Sequence, residues 1–256
     1  GNDAAVNTNA ATYAAWQWKA NGAGVANTDG TISSTVSVAE AGHFSIVEWT
    51  ATGVGASTIG HGLPGVAELV IKKERDVAVA DSWYVQHKDY TSGSYSQFLE
   101  GTQAQSASVS YWNNTFPTST VFSQGVSMTS GLCIAYCFRS VPGLCKIDKY
   151  TGNGSADGSF IYTGFNPAFV LVKRYNAVSQ WSIFDNQREG YNVDNDVLVP
   201  NTTAAETTTD YLDLLSNGFK ARTTDANVNA SGGTYIYMAF AEHPFGGDGV
   251  APATAR

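Results

Sequence analysis

The chain has 256 residues and a formal net charge of −8; 14% of it is Asp, Glu, Lys or Arg, 43% is hydrophobic and 12% aromatic. An acidic balance without a basic stripe excludes nucleic acid and anionic lipid as expected partners, and no apolar run approaches the roughly 18 residues of a membrane helix, so membrane insertion is not expected either. Sparse charge with 26 Gly and abundant Thr, Val and Tyr predicts an all-β protein of short strands and tight turns.

The opening stretch from Val6 to Trp18 is a polar turn feeding an aromatic run, and the chain writes this pattern again from Val126 to Phe138 and from Val228 to Phe240. Gly131 and Gly233, Ile134 and Ile236, Phe138 and Phe240, and Pro142 and Pro244 share the offset of 102 positions that separates Val126 from Val228. Recurrence at a fixed long period marks a repeat architecture. The expected organisation is therefore a pair of tandem β-sandwich, jelly-roll-like repeats of about 100 residues. Residues 1–20 read as the terminal strand of a preceding repeat, and 21–42 as a Gly/Ser/Thr-rich connector. Residues 43–143 and 144–245 form the first and second repeats, and 246–256 a loose tail.

The opening strand, with Tyr13, Trp16 and Trp18 as its assembly residues, carries Trp16 and Trp18 on one face and cannot bury itself, so it must add to some sheet: it is either a piece of a longer array or completes a neighbouring subunit. Thr31 to Val38 reads as a short exposed strand. Phe44 to Trp49, Ala67 to Lys73 and Ser82 to Gln86 alternate or run as strands of the first repeat, answered by Ile147 to Thr151, Ala168 to Arg174 and Gln180 to Phe184 in the second. Asn217-Gly218 between two apolar runs signals a hairpin. Cys133 and Cys137 lie four apart on one expected strand, about 13 Å apart at the strand rise. A disulfide needs Cα atoms within about 7 Å, so these are expected to be buried thiols.

The segment from Tyr150 to Gly158, Tyr162-Thr163-Gly164-Phe165, Trp181 and Ala239-Phe240-Ala241-Glu242-His243-Pro244-Phe245 together resemble repeats of a poorly characterised family of tail-fibre-like proteins of tailed phages, chiefly marine ones. Gly60-His61-Gly62-Leu63, the stretch from Trp16 to Gly22 and the ending from Gly246 to Arg256 match the same family. The resemblance implies a virion appendage, hence an extracellular structural protein that meets other virion proteins and its own copies, as a trimer or a filament. It implies no catalytic residues.

Chemistry is sparse. No Gly-x-Ser-x-Gly elbow is present. The four histidines show no metal-motif spacing, and Asp194-Asn195-Asp196 lacks the ligand set of a calcium loop, so neither metal nor cofactor is expected. Asp185 and Glu242, near strand ends, are the one acid pair worth weighing for a surface-polysaccharide depolymerase. Trp83 and Trp181 hold equivalent repeat positions and read as core. Tyr90, Tyr95 and Trp112 in the first repeat, with Arg188 and Tyr191 in the second, occur in one repeat only, within Ser-, Asn- and Gly-rich stretches. That setting suits rigid rings that stack on a sugar face. The expected function is non-enzymatic adhesion to host-surface glycans; the alternative is a self-assembling stalk, sheath or filament subunit joined by strand addition.

Overall fold

The computed structural model describes residues 7–53, 56–76, 81–128, 131–188 and 196–246. In chain order the first part contains β1 (Val25–Asn27), β2 (Ser34–Val38), β3 (Phe44–Ala51), β4 (Ser57–Gly60), β5 (Leu69–Glu74), β6 (Tyr84–His87), β7 (Tyr95–Phe98), β8 (Ser106–Ala107), the one-turn helix α1 (Val109–Trp112), β9 (Val121–Gln124) and β10 (Gly131–Phe138). The second part contains β11 (Cys145–Thr151), β12 (Phe160–Tyr162), β13 (Pro167–Arg174), β14 (Trp181–Asp185), β15 (Leu212–Leu215), β16 (Gly218–Ala221) and β17 (Thr234–Ala241). The protein is all-β, with antiparallel sheets stacked as sandwiches.

Two large sheets share one neighbour order at their centres. The first runs β1-β2-β3-β10-β5-β6-β7-β8 and the second β11-β17-β13-β14, so β10 sits between β3 and β5 as β17 sits between β11 and β13. The registers keep the correspondence: Tyr136 faces Ile71 where Met238 faces Leu171, and Phe138 faces Leu69 where Phe240 faces Phe169.

Period-two alternation divides each central strand between two cores. On β10, Cys133, Ala135 and Cys137 enter a first core with Val47, Trp49, Val70, Trp112 and Phe122, closed by the β4–β9 ribbon and α1. On β17, Tyr235, Tyr237 and Ala239 enter another with Val170, Val172 and Phe184, closed by the β12-β16-β15 sheet. The alternate residues, Phe138 from β10 and Ile236 and Met238 from β17, meet Leu69, Ile71, Phe169 and Leu171 in a third core. This seam joins the two large sheets face to face, giving four layers in all. Each fully buried side chain of this kind contributes about 1.5–3 kcal/mol, so the seam holds the sheets as a core does, not as a loose interdomain contact. All three cysteines are buried free thiols.

Several expectations change. Residues 21–42 are more than a connector: β1 and β2 extend the first sheet, with Val36 paired to Val47. Thr31 to Val38 is not exposed throughout, because Ser34 and Val36 are buried at 5% and 2%. The opening segment forms no strand among its described residues 7–20. Trp16 and Trp18 nevertheless share one side, and their rings enter the seam. Trp18 lies 6.1 Å from Phe138 and 5.5 Å from Phe169 in edge-to-face geometry, and Trp16 lies 6.0 Å from Phe169. Side-chain insertion, not backbone pairing, partly buries them, while Tyr13 stays half exposed. The hairpin turn falls on Ser216-Asn217, since Gly218 already pairs with Leu215 and Tyr162.

Candidate functional site

A groove of about 500 Å³ with charged side chains on its rim lies where the two parts of the chain meet. Its floor is edge strand β11, whose sheet neighbour is β17 and which turns Lys146 and Asp148 outward. One wall comes from Glu68, just before β5, and Lys88, just after β6; the other is Tyr162 at the end of β12. Alternation sets the tyrosine outward: Ile161 is buried in its core, so Phe160 and Tyr162 point away and are 48% and 49% exposed. Gly164, at a φ of +91° that disfavours other residues, turns the chain directly afterwards.

The groove is charge-balanced and pre-organised. Glu68 pairs with Lys88 at 3.0 Å and accepts the Ser140 backbone N–H at 2.7 Å and the Ser140 hydroxyl. The Ser140 oxygen in turn accepts the Ile147 N–H at 3.0 Å, which ties the β10–β11 link to the edge strand. Lys146 donates to the Tyr162 carbonyl at 2.7 Å, lies 3.7 Å from Asp148 and sits 5.6 Å from the Tyr162 ring centroid. Two carboxylates and two ammonium groups thus rim one exposed ring. Cys145, also at the groove, is no nucleophile, because burial pushes its thiol up to about 12.

The residues singled out from sequence do not converge here. Trp112 is fully buried in the first core under the Lys72 ammonium, 3.9 Å from its ring. Tyr90 is 4% exposed in the seam and donates its hydroxyl to Gln97 at 2.8 Å; burial pushes its phenol well up. Tyr95 is half-buried against the same core. Polar surroundings in the sequence misled for Tyr90 and Trp112, whose rings turn inward, while Tyr95 on β7 stays partly exposed. Arg188 is spent on Asp185, at 2.7 Å, and on Glu206. Tyr191 lies outside the described residues. Of the weighed acid pair, Asp185 is held by Arg188, and Glu242 accepts from Asn166 at 2.6 Å and Asn186 at 2.9 Å. Among the described residues no group of three His, Cys, Asp or Glu side chains is placed to hold a metal ion.

Tyr162 was visible in the sequence only as part of a motif. Its neighbours Glu68 and Lys146 come from distant segments, and only the seam brings them together. No curated protein matches the chain, and no solved structure does. A family described as a domain of unknown function, DUF7483, matches residues 1–244, and the chain belongs to it.

Proposed function

We propose that the protein is a non-enzymatic, tail-fibre-like module of a virion appendage, binding host-surface glycans in the groove over Tyr162. The observation that carries this reading is the half-exposed Tyr162 ring within a recess of about 500 Å³ rimmed by fixed polar groups. A sugar presents an apolar face that stacks on an aromatic ring and hydroxyls that exchange bonds with Glu68, Lys88 and Asp148. Because the rim charges pair with one another, an uncharged hexose suits the groove better than a strongly anionic sugar. Single-site affinity for such a shallow recess is expected near millimolar, raised by about 10²–10⁴ when several copies engage one surface.

The test is a glycan array probed with the protein multimerised on a scaffold. A restricted set of neutral glycans should bind, and Tyr162→Ala should lose about tenfold in monovalent affinity by titration calorimetry, as removal of one stacking contact of about 1–1.5 kcal/mol requires. An array without binders, or hits indifferent to Tyr162→Ala, overturns the reading. A second reading is assembly of copies by strand addition at β1, which closes one edge of the eight-stranded sheet and leaves Val25 67% exposed; its length of three residues keeps the ladder it can offer short.

A further inference from the structure

We propose that the seam carries a second, separate binding site, for a single-chain alkyl carboxylate. Between the two large sheets lies a cleft of about 630 Å³ whose walls are almost wholly apolar, among them Ile71, Trp83, Leu171 and Met238, with Trp16 and Trp18 across it. Close packing is the rule for protein interiors, and an apolar cavity of about 150 Å³ is already enough to take up benzene. A larger apolar recess, within the range of ligand pockets of about 300–1,000 Å³, is poised for an apolar guest.

The shape of the recess selects a chain over a compact ring. Its walls run from Phe44 and Ile46 on β3 across β10 and β5 to Trp83, just before β6, three interstrand steps of about 4.8 Å, or roughly 14 Å end to end. An alkyl chain advancing about 1.3 Å per carbon spans that length with roughly twelve carbons.

Charge selects the headgroup. Lys73 follows Ile71 on the seam face of β5 by alternation, and its ammonium stands 5.4 Å from the Trp83 ring at one end of the cleft. It donates to the Asp81 carbonyl oxygen, and an ammonium has three donors, so two remain for a carboxylate. Two acids stand at the same end: Glu100 accepts the Trp83 N–H at 3.1 Å, and the Asp81 carboxylate accepts the Glu74 N–H and the Tyr84 hydroxyl, each at 3.2 Å, so both are turned to other donors and Lys73 is the cation facing the guest. Arg188, 6.0 Å from the Trp16 ring, is already held by Asp185 and Glu206. The opening segment acts as a strap whose two indoles cover the chain once it is seated.

The test is a titration of the protein with laurate below its micelle concentration, read by intrinsic tryptophan fluorescence and by calorimetry, with dodecanol in parallel. Saturable one-to-one binding of both is expected. Lys73→Met should weaken laurate about tenfold and dodecanol by less than twofold, as loss of one charge-assisted contact predicts. Leu171→Trp, which fills the recess, should weaken both more than tenfold. If that variant fails to fold by circular dichroism, the laurate-to-dodecanol ratio of Lys73→Met decides alone. The proposal is overturned if laurate shows no saturable binding, if Lys73→Met leaves that ratio unchanged, if a folded Leu171→Trp binds like the parent, or if only phosphatidylcholine vesicles are bound.

Discussion

Lys72 shows how much of this protein's chemistry is settled by single buried groups. Its ammonium lies inside the first core, donates to the Tyr111 carbonyl at 2.6 Å and covers the Trp112 ring. Burial holds it down at about 7 against the ordinary 10.5. Between those values the unfolded chain binds a proton that the folded chain lacks, so stability rises with pH through this window. Urea unfolding should give a gain of roughly 2 kcal/mol from pH 7 to pH 9, and Lys72→Met should remove most of that slope. His87 acts at the acid end. It is buried in the seam, and burial first, then Lys88 and Lys149, depresses it to about 3. Below pH 6.5 the unfolded chain takes up a proton that folded His87 refuses, so stability falls from pH 6.5 towards pH 3. The loss should reach about 2–3 kcal/mol by pH 4.5, and His87→Phe should flatten it in acid titrations followed by circular dichroism. Sequence could flag neither group, since a lone Lys or His in a strand declares its burial only once the face it occupies is known. The same ignorance of facing placed Tyr90 and Trp112 among ligand candidates and passed over Tyr162.

At the level of elements, alternation made the long strands legible: the runs expected around Phe44, Leu69, Ile147, Phe169 and Trp181 all form strands. What alternation cannot supply is a partner. The opening segment reads as a strand because its aromatics recur at strand positions elsewhere, yet its two indoles pack into the seam, partly buried, without a paired backbone. Trp16→Ala with Trp18→Ala should therefore lower stability by about 1–3 kcal/mol without loss of strand signal in circular dichroism, because the indoles are only partly buried and no ladder depends on them. Gly218 was expected as a turn residue and serves a different need. A Cβ there would stand 2.1 Å from the Ile161 carbonyl oxygen, so β16 can pass β12 only without a side chain at that point. Gly218→Ala should cost about 2–3 kcal/mol by thermal unfolding, through displacement of β12 and with it the Tyr162 wall of the groove.

On the scale of the whole molecule, β3-β10-β5-β6 and β11-β17-β13-β14 share one neighbour order, and residues 102 positions apart hold matching registers on β10 and β17, but their face-to-face packing was not legible in the sequence. Both central strands look amphipathic in the same way, and nothing local distinguishes a face buried within one part from a face buried against the other. The shared seam predicts that the two parts unfold together: calorimetry should show one transition with equal calorimetric and van't Hoff enthalpies, whereas two separated transitions would mean that the seam is weaker than its buried side chains imply. The seam also builds the groove, bringing Glu68 and Lys88 from one part against Lys146 and Tyr162 from the other. The most direct measurement of glycan binding is a crystal structure of the protein soaked with its best array ligand. The account predicts a sugar ring stacked on Tyr162, with its hydroxyls bonded to Glu68 or Lys88. A sugar bound at any other place, with the groove left empty, would contradict it.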